Sequence, residues 1–402
     1  MPGTRAATDQ SSHIPPNWRG IAVVGGSAAG LFTAALLARR GAAVRVFECA
    51  QSLDPPERTL IVTSRMRALL GPSAESCVLN EIRRFELFTD GRAATVELRD
   101  PDLIIERRAL IQSLAQQARR AGASLEMGSR FRALRSTNGG LALEMDRTHG
   151  GEREEVQAET VVGADGALSR VARSAGWPSL ATVPLVQGIV RLPKGMPKDT
   201  TRVWFVPQDT PYFYWLIPES SERGALGVIG ENGAETRRHF ESFLEKRGFE
   251  PLEFQGARIP VYTGWVPVRR KMEGGSVYLV GDAAAQVKVT TVGGIVTGLR
   301  GAMGVADAIL NGGRSAELRA LRRELDAHLW LRRSLHDFKQ EHYSLLVDLL
   351  NDSAKESLAM SSRDEAWKLL WRVCARQPKL ILLGLRGLLM RNRSFPRPAG
   401  LP

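Results

Sequence analysis

The sequence is poor in the residues that build several common kinds of site. Three cysteines, Cys49, Cys77 and Cys374, occur in 402 residues without a CxxC spacing, which argues against a disulfide framework or a structural zinc site. The histidines of the C-terminal quarter do not share one helical face at metal-ligand spacing, so no metal is expected. This cysteine usage is typical of a protein in the reducing environment of the cytoplasm.

Long apolar runs and lysine are also scarce. No apolar stretch reaches the roughly 18 residues that a membrane-spanning helix needs. Residues 1–19 are largely polar and are expected to form a flexible N-terminus, and no lysine precedes Lys194. The formal net charge is nevertheless +12. No nucleic-acid-binding motif accompanies this charge, so a nucleic-acid partner is not expected. A solvated, arginine-rich surface explains the positive charge instead.

A nucleotide-binding turn is predicted where the first strand ends. The apolar run 20–24 predicts a buried strand, a helical pattern covers 31–40, and a second strand covers 43–47. Glu48, about 20 residues beyond the turn, would accept hydrogen bonds from a ribose. The turn itself would hold a dinucleotide phosphate with its backbone, and its residues are Gly25, Gly26, Ser27, Ala28, Ala29 and Gly30.

One departure from the dinucleotide fingerprint leaves an alternative open. Ser27 stands at the usual second glycine, so residues 25–29 nearly spell the GxSxG elbow of a hydrolase. The elbow normally follows several strands, and no later histidine lies in an obvious triad setting. The dinucleotide interpretation is therefore the stronger one.

Three further blocks extend the pattern. Residues 161–169 (VVGADGALS) and 277–284 (VYLVGDAA) each predict a strand and a turn, and residues 105–107 (IER) precede a helical pattern over 109–121. In order and spacing these blocks, with the glycine turn, resemble the FAD-dependent family that includes aromatic hydroxylases and geranylgeranyl reductases. The resemblance implies one bound FAD and a transient electron donor, either NAD(P)H or another reductant.

The resemblance also implies roles for individual residues. In that family the aspartate of the GD pair contacts the flavin ribityl chain, which corresponds to Asp282 after Gly281. The DG segment flanks the cofactor, which corresponds to Asp165. An arginine before the middle helix approaches the FAD diphosphate, which corresponds to Arg107, and Arg58 is a further candidate by analogy with hydroxylases.

The block after Asp282 resembles the reductase pattern GDAAGQVKPTTGGGI and leads to a helix through Ile309. Backbone amides at Gly293, Gly294 and Ile295 would face the flavin N1 and C2 carbonyl, where negative charge collects when the flavin is reduced.

Three residues of this block depart from the pattern. Ala285, Val289 and Val292 replace the family's Gly, Pro and Gly, so flavin placement or reactivity is expected to differ. Hydroxylases usually carry His and Pro at positions 285 and 289. Their absence favours a reductase over a simple phenol hydroxylase.

An aromatic strand is the candidate substrate pocket. Residues 212–218 (YFYWLIP) resemble the YxWxFP stretch of geranylgeranyl reductases. They also fit the WxWxIP motif of halogenases, but a halogenase needs a lysine in its N-terminal half. Ordinary strand packing of these rings remains an alternative. The residues expected to line the pocket are Tyr212, Tyr214, Trp215 and Pro218.

The C-terminal quarter predicts helices. Apolar residues recur at helical spacing over 318–350, with Trp330, Leu331 and Leu335 expected to face inward. Residues 367–393 interleave leucines with lysine and arginine. This segment either rests on anionic lipid, as a peripheral membrane contact, or simply packs on the catalytic domains.

The predicted fold is α/β (α+β overall), a Rossmann-type FAD-binding domain with an inserted antiparallel β-sheet domain and a helical C-terminal region. The FAD-binding domain is predicted from residues 20–57, 100–175 and 270–312, the substrate sheet from 58–99 and 176–269, and the helical region from 313–402.

The leading functional hypothesis is reduction of a carbon–carbon double bond in a small, apolar, isoprenoid-like substrate. A monooxygenase acting on an aromatic or apolar metabolite and a non-enzymatic flavin-binding protein are the alternatives. The catalytic proton donor and the oligomeric state stay open.

Overall fold

The computed structural model describes residues 19–148 and 150–389. The predicted flexible segment 1–19 lies outside the described residues except for Arg19, as does the C-terminal region beyond residue 389. The strands are β1 Ile21–Val24, β2 Val44–Phe47, β3 Thr59–Val62, β4 Val78–Thr89, β5 Arg92–Glu106, β6 Ser124–Glu126, β7 Ser129–Thr137, β8 Gly140–Arg147, β9 Arg153–Ala158, β10 Thr160–Gly163, β11 Thr182–Arg191, β12 Thr200–Trp204, β13 Tyr214–Pro218, β14 Arg223–Ile229, β15 Pro251–Pro260, β16 Arg269–Met272 and β17 Gly275–Leu279.

Helices cover one face of the first sheet and most of the C-terminal quarter. They are α1 Ala28–Ala38, α2 Arg65–Leu70, α3 Arg107–Arg120, α4 Arg170–Ser174, α5 Gly233–Arg247, α6 Ile295–Leu310, α7 Ala316–Leu335, α8 Gln340–Asp348, α9 Asp352–Ala359, α10 Ala366–Arg376 and α11 Lys379–Leu389. Two short 3₁₀ helices cover Gly71–Cys77 and Gly281–Ala284.

The nucleotide sheet has the strand order β16-β17-β10-β1-β2-β6. β1 pairs in parallel with β2 and β10, and β10 pairs in parallel with β17. β1 is buried along its whole length, as its apolar sequence IAVV indicates, and α1, which packs on α3 and α6, contacts it. This arrangement confirms the predicted Rossmann-type domain, and it places the turns after β1, β10 and β17 at one edge.

The second sheet has the order β15-β11-β14-β13-β12-β4-β5-β3, with all neighbours antiparallel except β12 and β4. It confirms the predicted inserted, mainly antiparallel sheet. The predicted domain boundary between residues 99 and 100 falls inside β5, which pairs with β4 and then with β3 as one continuous strand. A separate three-stranded sheet, β7-β8-β9, lies within the predicted segment 100–175.

The C-terminal region is helical, as predicted, but its first long helix ends earlier than the pattern indicates. The predicted helical run 318–350 is divided between α7 and α8 by a turn at residues 336–339. Trp330 was expected to face inward but its side chain is 61% exposed, whereas Leu331 and Leu335 line the main cavity. Within the described chain, no helix is both long enough and apolar enough to cross a bilayer.

Candidate cofactor and substrate site

A large cavity of about 1350 Å³ extends between the nucleotide sheet, the antiparallel sheet and the C-terminal helices. Most of the residues predicted from sequence converge on it. Those that line it are Gly25, Gly26, Ser27, Ala28, Ala29, Glu48, Arg58, Arg107, Asp165, Gly281, Asp282, Gly293, Gly294, Ile295, Tyr212 and Trp215. The predicted residues outside its lining are Gly30, Tyr214 and Pro218.

The glycine turn has no room for side chains at two positions. Gly25 has a φ of +109°, and a Cβ there would lie 2.5 Å from the carbonyl oxygen of Ala164, in the turn after β10. Gly30 lies in the first turn of α1, where a Cβ would be 2.4 Å from the Gly25 carbonyl oxygen. Gly30 therefore packs closely against the glycine turn and lies outside the cavity lining. Ser27 caps α1, since its hydroxyl accepts a hydrogen bond from the Gly30 amide at 3.2 Å.

Glu48 lies at the end of β2, as predicted. Its carboxylate accepts hydrogen bonds from the amides of Gly26, at 2.7 Å, and Ala50, at 2.8 Å. The carboxylate is thereby held beside the glycine turn, at the edge of the sheet where a ribose would lie in a Rossmann-type site.

Two arginines supply positive charge to the middle of the cavity. Among the described residues, neither Arg58 nor Arg107 has a carboxylate at salt-bridge distance. Burial and the neighbouring Arg107 lower the pKa of Arg58 to about 10, so its guanidinium still carries its charge at neutral pH. Burial raises the pKa of Asp282, against the opposing effect of both arginines. Two partly buried cations with no carboxylate at salt-bridge distance fit an anionic ligand such as a diphosphate.

Asp165 organises the turn after β10. Its carboxylate accepts hydrogen bonds from the Ser169 hydroxyl at 2.5 Å and from the amides of Arg170, at 2.7 Å, and Val171, at 3.2 Å. Burial raises the pKa of Asp165, while these hydrogen bonds oppose the rise. The aspartate thus fixes the start of α4 against the cavity wall.

The loop 285–294, which we call the ring-end loop, lies between the 3₁₀ helix at Gly281 and α6. An antiparallel bridge joins Lys288 to Gly293, and the Val292 amide donates to the Lys288 carbonyl at 2.7 Å. Ala285 and Val292 have φ values of +51° and +53°, in the region that favours glycine. Thr291 also lines the cavity, and its buried hydroxyl has no hydrogen-bond partner within the described chain.

The far half of the cavity is mostly apolar. Trp215 faces it from β13, and its indole lies over Gly227 of β14, where a Cβ would come within 2.3 Å of the ring. Tyr214 points to the other side of the sheet, where it stacks on Phe243 at 4.0 Å between ring centroids. The prediction that Tyr214 and Pro218 line the pocket is corrected by this alternation, because neighbouring strand residues face opposite sides.

A buried ion pair that the sequence did not indicate ties the ring-end loop to the C-terminal helices. Lys288 Nζ lies 2.6 Å from Asp364 Oδ1, with side-chain exposures of 6% and 0%, and the Thr63 hydroxyl donates to the other Asp364 oxygen. Burial would raise the pKa of Asp364, but the Lys288 ammonium and these hydrogen bonds outweigh it and hold the pKa below its usual value.

A second group was missed for a different reason. His328, which the sequence gave no functional role, lines the cavity from α7 and contacts Thr290 of the ring-end loop. The only sequence signal that could have indicated it is Glu324, one helical turn before it on the same face.

The site combines a parallel sheet with a glycine turn, an acid after β2 and two arginines without a carboxylate at salt-bridge distance. These features define a dinucleotide-binding flavoprotein. The sequence profile of the family described as "FAD binding domain" matches residues 20–318. The chain belongs to this family, and it is an FAD-dependent oxidoreductase. The two arginines in the cavity lining and the glycine turn, which has no room for side chains, both fit that cofactor.

Known proteins that resemble the chain include proteins named as reductases. The digeranylgeranylglycerophospholipid reductase of Methanothrix thermoacetophila is 28% identical over 319 residues, 74% of this chain and 80% of the relative. A geranylgeranyl bacteriochlorophyll reductase-like protein from Thermoplasma acidophilum has a similar structure, with a TM-score of 0.74 and 19% identity over 92% of this chain and 98% of its own.

A hydroxylating enzyme has the same fold. The p-nitrophenol 4-monooxygenase of Pseudomonas putida DLL-E4 matches with a TM-score of 0.60 and 16% identity, over 91% of this chain and 98% of its own. At such identities the likeness of the two solved structures concerns the fold alone.

We predict that Asp364→Asn destabilises the protein by about 3–5 kcal/mol, because it leaves the Lys288 ammonium buried without its counter-charge. Since the folded-state pKa of Asp364 lies below its usual 3.8, this stabilisation should be complete at neutral pH and be lost as the pH falls through the folded-state pKa. Urea unfolding of both proteins at neutral and acidic pH measures the difference.

The adjacent carboxylate provides a matched control. Glu365 pairs with Lys368 at 2.7 Å on the surface, so Glu365→Gln should change the free energy of unfolding by less than about 1 kcal/mol. Equal effects of the two substitutions would contradict the importance of the buried pair.

Proposed function

We propose that the protein reduces carbon–carbon double bonds of an apolar, isoprenoid-like substrate. The observation that carries the proposal is the continuity of the cavity, which leads from the glycine turn past the ring-end loop into an apolar chamber. Its apolar walls come from the antiparallel sheet, the segment before β13, α7 and α10, and include Phe85, Val203, Phe213, Trp215, Leu331 and Leu369. The curated relative named above is a reductase of a geranylgeranyl lipid by its name.

We infer that FAD lies extended along the cavity. The turn formed by Gly25, Gly26, Ser27, Ala28 and Ala29, with Gly30 packed behind it, would hold the diphosphate. Glu48 would bind the adenosine ribose, and Asp282 beside Gly281 would bind the ribityl chain. The remaining proposed contacts are Arg58 and Arg107 with the diphosphate, Asp165 beside the cofactor, and the amides of Gly293, Gly294 and Ile295 with the ring.

The placement of the ring beside the ring-end loop has a physical basis. Gly294 precedes α6 without a side-chain cap, so the first amides of that helix are free to donate to a ligand. The positive end of the helix would stabilise negative charge on a reduced ring.

The chain's own residues would complete the reaction site. When bound, reduced FAD supplies a hydride to one carbon of the double bond. Trp215 and Phe213 would hold the alkene chain and exclude water from it, since apolar walls favour burial of an apolar substrate. NAD(P)H or another reductant would return electrons to the cofactor between turnovers.

We predict that Arg58→Met weakens FAD binding by about 10- to 100-fold, because hydrogen bonds to charged groups contribute about 1.5–3 kcal/mol each. Titration of the cofactor-free protein with FAD, followed by flavin fluorescence, measures the dissociation constant. Arg84→Met is the matched control, since Arg84 pairs with Asp199 at 3.0 Å outside the cavity. An unchanged constant in Arg58→Met would remove this arginine from the proposed site.

The reaction itself is tested under strict exclusion of oxygen. We expect the dithionite- or NADPH-reduced protein to be reoxidised by a geranylgeranyl lipid, with the product gaining two hydrogens per double bond by mass spectrometry. A lipid of geraniol length is the control for the effect of chain length, and a saturated lipid is the control for the need for a double bond. A product that gains one oxygen atom, only when oxygen is admitted, would instead support a monooxygenase. A flavin that no donor reduces would support a non-enzymatic flavin-binding protein.

We infer further that α10 and α11 contact a lipid surface. Ala366 and Leu369 of α10 line the cavity, whereas Trp367 and Trp371 of the same helix are 61% and 67% exposed. One helix thus separates the apolar chamber from an exposed aromatic surface, an arrangement that suits a substrate entering from a membrane. The exposed residues of α11 include Ile381, Leu382, Leu385 and Arg386.

The charge of this surface is smaller than the sequence indicates. Lys368 pairs with Glu365 and Arg376 with Glu356, at 2.7 Å and 2.6 Å, although residues 367–393 contain no carboxylate themselves. The tryptophans would therefore contribute more than the basic residues to binding. Residues 390–393 of the predicted segment 367–393 lie outside the described residues.

We predict that Trp367→Ser with Trp371→Ser lowers binding to vesicles of anionic phospholipid by about tenfold or more, because a buried large apolar side chain contributes roughly 1.5–3 kcal/mol. Flotation with vesicles of phosphatidylglycerol and phosphatidylcholine measures the bound fraction. Leu252→Ser, at an exposed leucine of β15, is the control. Wild-type protein that stays unbound at low salt would contradict the lipid contact.

A further inference from the structure

His328 and Thr290 form a hydrogen-bonded pair in the wall of the cavity. The Thr290 Oγ1 and His328 Nδ1 atoms are 2.7 Å apart, and both residues line the cavity. Thr290 belongs to the ring-end loop, beside which the reacting end of the flavin would lie. His328 is only 3% exposed and reaches this loop from the middle of α7.

A carboxylate lies behind the imidazole. His328 Nε2 is 3.3 Å from Glu324 Oε1, and Glu324 itself accepts a hydrogen bond from the Ala366 amide at the start of α10. The three side chains therefore form a line from Glu324 through His328 to the Thr290 hydroxyl at the cavity. The carboxylate lies at this distance without hydrogen-bond geometry, so it is its negative charge that favours a proton on the Nε2 side of the ring.

The surroundings of His328 make its protonated form a stronger acid than an ordinary imidazolium. Burial lowers the pKa of His328, the nearby Glu324 carboxylate opposes this, and the Lys288 ammonium lowers it further, while Asp364 raises it. These are the charged groups that face the imidazole from α7, the ring-end loop and the segment before α10. A protonated imidazole with a lowered pKa gives up its proton readily to a neighbouring acceptor.

We propose that Thr290 and His328 deliver the proton that completes reduction of the substrate double bond, with Glu324 as a positioning residue. The proposal rests on the reductase function proposed above. It names the proton donor of that reaction, and it gives a role to a hydroxyl and an imidazole that meet in the cavity wall.

The proton moves in two linked transfers. With a hydride and its electron pair supplied to one carbon by reduced FAD, the π electrons would form a C–H bond at the other carbon with the Thr290 hydroxyl proton. The Nδ1 proton of the His328 imidazolium moves to the Thr290 oxygen. His328 is left neutral, with its remaining proton on Nε2 facing Glu324, and solvent reprotonates it before the next turnover.

Three variants separate proton delivery from a structural role. Thr290→Val removes the hydroxyl at nearly constant shape, Thr290→Ser retains it, and His328→Gln retains hydrogen bonding without a titratable ring. His336→Gln is the matched control, because His336 is a buried histidine of the segment that ends α7 but lies outside the cavity lining. FAD affinity of each variant, measured by fluorescence, reports whether the site still folds.

Stopped-flow reoxidation of the reduced protein by a geranylgeranyl lipid, with oxygen excluded, measures the reaction. We expect Thr290→Val and His328→Gln to slow it about 100- to 1000-fold, the range of general acid catalysis, and Thr290→Ser to stay within about fivefold of wild type. The wild-type rate should fall as the pH rises, since the imidazolium is lost, and this dependence should vanish in His328→Gln but persist in His336→Gln.

A measurement independent of turnover follows the imidazole directly. NMR of the oxidised protein with ¹⁵N-labelled histidine should show His328 titrating below an ordinary histidine, with Nε2–H as its neutral tautomer, and Thr290→Val should shift the Nδ1 resonance. Full rates and an unchanged pH profile in Thr290→Val and His328→Gln, beside an active wild type, would overturn proton delivery alone. A wild type that reduces no isoprenoid double bond would overturn the proposed function and this role with it.

Discussion

The whole site depends on three parallel strands ending at one edge of the nucleotide sheet. β1, β10 and β17 carry the glycine turn, the turn at Ala164 and the turn at Gly281, and their pairing brings these turns into contact. The Ala164 amide donates to the Val24 carbonyl and the Gly25 amide to the Phe47 carbonyl, both at 2.8 Å. Because a Cβ at Gly25 would collide with the Ala164 carbonyl, backbone rather than side chains forms this end of the cavity.

The opposite end of the cavity depends on a contact of another kind. The Lys288–Asp364 pair joins the ring-end loop to the chain between α9 and α10, and Arg363 beside it donates to Asp102 of β5. Charges are buried here at a cost, which is offset only while each keeps its partner. The C-terminal helices are thereby fixed over the apolar chamber, and one cavity extends from the nucleotide turn to α10 instead of two separate clefts.

Features encoded within a short stretch of sequence could be predicted. The turn at Gly25, Glu48 and Asp282 each follow directly on a strand, so a local pattern places them at the same sheet edge. Trp215 and Tyr214 show where such patterns fail. Strand alternation requires these neighbours to face opposite sides, but it does not say which side holds the cavity, because each face carries a large aromatic residue.

Contacts between distant segments could not be predicted in this way. Lys288 and Asp364 are 76 residues apart in sequence, and Thr290 and His328 are 38 apart. The sequence around each of these residues indicates only an ordinary loop or helix residue. The role of each depends on how α7 and the segment before α10 pack on the ring-end loop. Only tertiary structure brings the hydroxyl, the imidazole and the ion pair to the same wall.

The departures of the ring-end loop from the family pattern have a common physical basis. Val292 stands where the family has glycine, yet it keeps the positive φ that glycine adopts freely, and this costs a β-branched residue of the order of 1–3 kcal/mol. The bridge between Lys288 and Gly293 holds that conformation, and the Val292 side chain, like those of Phe213 and Trp215, packs against the cluster of buried apolar residues that includes Tyr212 and Val287. In this chain, therefore, the buried ion pair and apolar packing hold the loop in the shape that the glycine of the family pattern adopts without strain, and the added bulk lies on the side of the cavity where an apolar substrate would bind.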